Sequence, residues 1–193
     1  MISKSDLKHK GTVTIETIRL KLRKFRLEDA QDMFNNWASD PEVCRYLSWG
    51  PYTDPGPCYR RVSAWISSYA CISTYVWAIE LKGANTVIGS ISVEISNDTI
   101  KSCEVGYCIG RPYWNRGIMT EALRAVMHFL FYEVGYRMII AKHDTQNIAS
   151  GKVMKKAGME FVRLELKAGK RRDGSYYDCA VYAKKIDDEK TDI

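Results

Sequence analysis

The chain has 193 residues, a formal net charge of +6, 46% apolar and 27% charged residues. Such a chain can bury a sizeable core in one domain, 1–193, and its composition is that of a globular protein rather than a disordered or fibrous one. No apolar run is long enough to span a bilayer and no cationic-then-apolar leader opens the chain, so a cytoplasmic location without membrane contact is expected. The mild positive charge suits an anionic ligand, but no basic stripe with interleaved aromatics marks a nucleic-acid surface.

In chain order, residues 1–13 are polar and Lys-rich and read as a loose leader. TIRLKLRKF alternates apolar with basic residues, as a half-exposed strand does. RLEDAQDMFNNWASD carries Ala30, Met33, Phe34 and Trp37 on one helical face, and Pro41 opens a second helical piece, PEVCRYL. WGPYTDPGP is a loop, because its prolines and glycines sustain neither helix nor ladder. CYRRVSAWISSYA reads as a helix. YVWAIEL, TVIGSISVEIS and SCEVGYCIG read as three strands, the first two joined by a Gly-Ala-Asn turn.

A long helix follows RPYWNRG and runs to about Tyr132, with Leu123, Val126, Met127, Leu130, Phe131 and Val134 at helical spacing. RMIIAKH is a short buried strand. NIASGKVMKKAG is a helix closed by Gly158. EFVRLELK, a basic turn AGKRRDGS and YYDCAVYAKK form a last strand pair, and 187–193 is an acidic, loose end. The order predicts a mixed α/β (α+β) fold, with about seven mostly antiparallel strands, about four helices and one strand-helix-strand crossover.

The six cysteines (Cys44, Cys58, Cys71, Cys103, Cys108, Cys179) form no C-x-x-C pair and have no histidine at zinc-like spacing. They read as reduced, buried or half-buried thiols, and no metal site is expected. His9, His128 and His143 are scattered along the chain.

The turn RPYWNRGIMTEAL joins a strand to the start of a long helix. The first helical N–H groups there have no intrahelical acceptors, and the helix dipole adds positive potential, so the turn suits a phosphate. Gly117 permits close approach, Thr120 offers a hydroxyl and Arg116 a cation. The turn matches neither G-x-x-x-x-G-K-[ST] nor G-x-G-x-x-G, which disfavours an NTP or dinucleotide pocket. Locally, a plain strand-to-helix turn punctuated by Pro112 and Gly117 explains the residues equally well.

Several ordered motifs together carry a resemblance. ETIRLKLRKFRLEDA, DPEVCRYL, EVGYCIGRPYWNRGIMTEAL, NIASGKVMKKAGMEF and DGSYYDCAVYAKK resemble successive segments of the GNAT superfamily of N-acetyltransferases, within its Rim-type group. The resemblance covers about Thr17 to Ile186. It implies a GNAT fold with a splayed central strand pair, acetyl-CoA as cosubstrate and direct acetyl transfer to a primary amine. It also implies that amides from Asn115 to Thr120, including Arg116, Gly117, Ile118 and Met119, cradle the pyrophosphate. Tyr107, Cys108 and Ile109 would bond the pantetheine arm with Asn147, and Trp114 fits the group's pattern. Asn115, Ile118 and Met119 depart from the usual Gly, Tyr and Ala; Met119 is expected to crowd the phosphates and weaken CoA affinity.

Acetyl transfer needs a neutral amine, an oxyanion stabiliser and a proton for the departing thiolate. The resemblance places Ser150 near the CoA sulfur as the donor. The superfamily's tyrosine acid falls at Met154, which has no proton to give. Asn147 and Ser150 also suit a helix cap, and the two roles are compatible. Glu104 is the candidate base. A second glutamate that some Rim-type enzymes carry near their terminal turn is missing around Lys170, Arg171 and Arg172, before Asp173-Gly174. That basic turn reads as solvated, or as a guide for an acidic substrate. Trp49 and Tyr52, with Tyr46 beside them, are expected to line the acceptor pocket, and Trp65 and Trp77 to pack in the core. The acceptor is a peptide or protein N-terminus or a small-molecule amine, and the chain a monomer or homodimer. The rival expectation is a GNAT-fold acyl-CoA binder without turnover.

Overall fold

The structure is a computed structural model that describes residues 7–171 and 174–186. The strands are β1 (Ile15–Glu16), β2 (Leu20–Arg23), β3 (Val76–Leu81), β4 (Thr86–Asn97), β5 (Ser102–Ile109), β6 (Met138–Asp144), β7 (Glu160–Lys170) and β8 (Tyr176–Lys185). They form one sheet in the order β1-β2-β3-β4-β5-β6-β8-β7. Each pairing is antiparallel except β5 with β6. The helices are α1 (Asp29–Met33), α2 (Pro41–Cys44), α3 (Gly56–Ser68), α4 (Ile118–His128) and α5 (Ile148–Lys156). α1 and α4 each run on into a π-helical stretch, Phe34–Ala38 and Phe129–Val134. Among the described residues no helix is long and apolar enough to cross a membrane.

Helices cover both faces of the sheet, so its central strands are apolar on both sides. In β3, Trp77 and Ile79 join the core under α4 and α5, while Val76 and Ala78 join the core under α1 and α3. The continuous apolar run of YVWAIEL is the sequence expression of that burial. β2 departs from the half-exposed strand predicted: Leu20 and Leu22 are buried, and so is Arg23. Arg23 Nη1 and Nη2 donate to the two carboxylate oxygens of Asp29 at 2.7 and 2.9 Å, and Nε donates to Glu80. The paired carboxylates let a cation lie inside the fold.

The leader also differs from expectation, since residues 7–13 are ordered against the sheet. The Thr12 hydroxyl donates to Thr74 O at 3.0 Å and accepts from Val76 N at 2.9 Å, and Trp77 Nε1 donates to Val13 O at 2.7 Å. Polar composition suggested a loose segment; its hydroxyl and carbonyl in fact satisfy buried donors and acceptors. Residues 1–6 and 187–193, with Arg172 and Asp173 of the terminal turn, lie outside the described residues.

Candidate active site

Asn115 (φ 59°) and Gly117 (φ 71°) both take the left-handed backbone region, which bends the chain out of β5 into α4. Asparagine and glycine are the residues that adopt it at least cost. The first intrahelical bond of α4 runs from Glu121 N to Gly117 O at 3.0 Å, so the N–H groups of Ile118, Met119 and Thr120 lead the helix without intrahelical acceptors. A Cβ placed on Gly117 would meet only Arg19 Nη2, at 3.7 Å; the space before the turn is open. That geometry fits an anion.

The turn is clipped to the start of the sheet. Arg19 Nη1 donates to Arg116 O at 2.8 Å and Arg19 Nε to Glu121 Oε2 at 2.7 Å. Glu121 Oε1 accepts from Thr17 Oγ1 at 2.6 Å and from Arg19 N at 3.0 Å. Partial burial pushes the Glu121 carboxyl upward, but these donors outweigh it and hold it below the usual range. A groove of about 800 Å³ opens beside the clip, with Gly117, Thr120, Arg124 and Lys156 on its walls. The sequence signal for Glu121 was only its place in the first helical turn; nothing local pointed to Arg19.

The side chains of Ile118, Met119 and Thr120 are buried, Ile118 and Met119 in the core under α4. Met119 therefore does not crowd the anion side of the turn, which overturns the expectation of weakened affinity on that ground. The Arg116 side chain is exposed. Trp114 Nε1 donates to Ile109 O at 2.9 Å, so that carbonyl is already engaged in tying the turn to the strand end.

β5 and β6 run parallel only where Ser102–Glu104 meets Met138–Ile140. Beyond that, β5 stays with β4 as far as Ile109, and β6 stays with β8 as far as Asp144. The β6-facing edge of residues 105–109 is thus left without a strand neighbour, and backbone groups there need partners of another kind. Two close approaches fix the end of the diverging strand: a Cβ on Gly110 would meet Asn36 O at 2.4 Å, and one on Gly89 would meet Cys108 O at 2.3 Å. Asn147 caps α5 at the mouth of the wedge, its Oδ1 accepting from Ser150 N at 3.2 Å.

A splayed parallel pair beside an amide-rich helix start is the arrangement that the resemblance to the N-acetyltransferases implied. The acetyltransferase (GNAT) domain family matches residues 19–160. The chain belongs to the GNAT acetyltransferase family. It is 30% identical over 141 residues to the uncharacterized N-acetyltransferase p20 of Bacillus licheniformis, covering 73% of this chain and 79% of that protein. It is 24% identical over 156 residues to the [ribosomal protein uS5]-alanine N-acetyltransferase of Escherichia coli, covering 77% and 78%. Its fold matches RimL, a ribosomal L7/L12 α-N-protein acetyltransferase solved with coenzyme A, at a TM-score of 0.80 and 21% identity over 91% of this chain and 99% of that one. The chain is an acetyltransferase enzyme, with ribosomal-protein acetyltransferases among the proteins it is similar to.

In this acetyltransferase the wedge opens into a cavity of about 370 Å³ that holds Glu104, Tyr107, Lys142, Asn147, Ser150 and Glu165 on its walls. Ser150 Oγ lies 2.9 Å from the Tyr107 hydroxyl, which is also 3.1 Å from Ser150 O. Burial pushes the Tyr107 phenol well up, so it keeps its proton at neutral pH. Tyr107 was expected to contribute backbone; its side chain is the missed feature. Met154, the position that lacks a donor, is buried in the core. Burial likewise pushes the neighbouring Cys108 thiol up, which keeps it protonated.

A second carboxylate lines the cavity from a different strand. Glu165, on β7, faces Glu104 across Lys142, whose Nζ is 3.2 Å from Glu104 Oε2 and 3.5 Å from Glu165 Oε2. Burial pulls the Lys142 ammonium downward, but the two carboxylates outweigh it and raise it. Arg163, hydrogen-bonded to Glu165, is the main cause holding that carboxyl below the usual range. Arg171 of the basic turn pairs with the buried Asp144 and stacks on Tyr177, its guanidinium 5.2 Å from the ring centroid, so it is not a free guide for an anion.

Trp49 and Tyr52 stack on each other at 5.7 Å and pack against the core under α1 and α3; Tyr46 and Leu47 line the cavity instead. Two flat aromatics bury more surface on that core than in a polar cleft. Trp77 is fully buried and Trp65 partly so. No disulfide joins any of the six cysteines, and Cys71 departs from the rest in being exposed.

Proposed function

We propose that this acetyltransferase uses acetyl-CoA as donor and transfers the acetyl group directly to a primary amine. One observation carries the reading: the open edge of β5 connects the amide-lined turn at Asn115–Thr120 with a cavity holding a carboxylate, a hydroxyl pair and a resident alkylammonium. Acetyl-CoA, when bound, supplies a thioester carbonyl ready for attack by an amine. The N–H groups of Ile118, Met119 and Thr120 would hold its pyrophosphate, and the freed edge of residues 105–109 with Asn147 its amide-bearing arm.

Within the cavity Glu104 accepts a proton from the acceptor ammonium, giving the neutral amine that acylation requires. Ser150, oriented by the Tyr107 hydroxyl, donates its proton to the departing sulfur, and the proton shed by the acylated nitrogen restores the serine, so the buried phenol keeps its own. Lys142 supports an amine acceptor directly, since a primary ammonium already sits between Glu104 and Glu165. A peptide N-terminus or a small amine presents the same group. Thiol release from acetyl-CoA, measured across peptides beginning with small residues and a panel of free amines, tests the reading. Release that rises with one class identifies the acceptor; CoA binding with no release on any amine would overturn transfer.

A further inference from the structure

Lys142 brings a primary amine into the cavity, and it is the one lysine on those walls among the described residues. On β5, Cys103 and Val105 turn to the core under α4 and α5, and on β6 Ile139 and Ala141 do the same. Strand alternation therefore sends Glu104 and Lys142 to the opposite face of the sheet. Ser150 belongs to α5, on the core side, with its Oγ 2.9 Å from the hydroxyl of Tyr107. The amine and the hydroxyl pair thus face the splay between β5 and β6 from its two sides. Lys142 Nζ is 3.2 Å from Glu104 Oε2, and its side chain keeps 31% exposure, so the amine is held without being sealed in.

We propose that Lys142 is a self-acetylation site: with no acceptor present, its ε-amine takes the acetyl group from acetyl-CoA held in the wedge of the same chain. The proposal rests on the reading of this cavity as the transfer site. Glu104 takes a proton from the Nζ ammonium, 3.2 Å away. The neutral amine attacks the thioester carbon; the N–C bond forms and the C–S bond breaks. The sulfur leaves with the proton of Ser150, and the acylated nitrogen returns a proton to the serine. Glu104 passes its own to solvent. The products are acetylated Lys142, the free CoA thiol and one proton. Closeness within one chain favours the step. Glu104 and Glu165 oppose it by holding the ammonium charged, so it is slow beside turnover on a good acceptor. Acetylation removes that charge, which leaves both carboxylates to an arriving ammonium.

Incubating the full chain, of unmodified starting mass, with acetyl-CoA and no amine tests this by intact mass and peptide mapping. The chain is expected to gain about 42 Da, placed on Lys142. The rate should not change with protein concentration, as transfer within one chain requires. Lys152, exposed on α5 and outside the cavity, reports acetylation from solution and is expected to label at least about tenfold more slowly. Glu104→Gln should slow labelling of Lys142 and leave that of Lys152 unchanged, with circular dichroism confirming that the variant is folded. Lys142 labelling no faster than Lys152, or a rate that rises with protein concentration, would overturn the proposal. So would an unmodified Lys142 in a chain that releases thiol on an added amine, a result that leaves acetyl transfer standing. A chain that binds acetyl-CoA and releases no thiol, with or without amine, would remove the transfer reading and this proposal together.

Discussion

The turn at Asn115–Thr120 and the cavity around Glu104 stand at the two ends of one wedge and are built by different means. The turn is contiguous, and its groups are backbone N–H donors set by two left-handed residues and a helix start. The cavity is discontinuous, drawing side chains from β5, β6, α5, β7 and β8. A site made of backbone is insensitive to most side-chain changes and sensitive to conformation. A site made of side chains responds to each functional group in turn. The two should therefore separate in kinetics, with turn variants moving CoA affinity and cavity variants moving turnover.

The largest effect is expected at the base. Glu104→Gln should lower kcat by roughly 10²–10³-fold, the range of a lost general base, with CoA affinity by calorimetry unchanged. A matching loss of affinity would break the separation. Gly117→Val comes next, lowering CoA affinity by about ten- to a hundredfold while leaving the fold intact. The obstacle is the left-handed φ of 71°, which a β-branched residue adopts only at a cost of roughly 1–3 kcal/mol, together with a side chain facing the ligand. Unchanged affinity would remove the turn as the pyrophosphate site.

Ser150→Ala should reduce kcat by about tenfold, because Tyr107 stays as a donor; the double change with Tyr107→Phe should cost more than either alone. A turnover equal to that of the wild type would take the serine out of the chemistry. Glu121→Gln probes the clip behind the turn. Its folded carboxyl lies below the ordinary 4.5, so its stabilisation is present above that value and is lost as pH falls through the folded pKa. The melting-temperature gap between wild type and Glu121→Gln should be full at neutral pH and close in acid; a gap independent of pH would refute the clip. Smallest of all, Arg116→Ala should change CoA affinity by less than about threefold, because the side chain is exposed and the residue acts through its carbonyl.

The same contrast explains what the sequence revealed. Asn115, Gly117 and the helix start could be read locally, because turn chemistry is written in adjacent residues. Tyr107 and Ser150 are 43 positions apart, and no local pattern says that their hydroxyls meet. Glu165 was hidden because strand alternation gives a face but not the neighbour across it. Trp49 and Tyr52 show that a loop rich in aromatics does not say where its rings lie; here they stack on each other, partly buried beside the core under α1 and α3. Thr12 was hidden by its polar surroundings, although its hydroxyl serves the backbone on both sides of Tyr75.

By itself the sequence determined the element order, the mixed sheet, the family and the left-handed turn, because each depends on short-range periodicity or on residues next to one another. Only the tertiary structure decided which way Met119 points, which hydroxyl supports Ser150, and where the second carboxylate stands. Each depends on groups far apart in the chain that the fold brings side by side, and no local pattern encodes which side chains then meet.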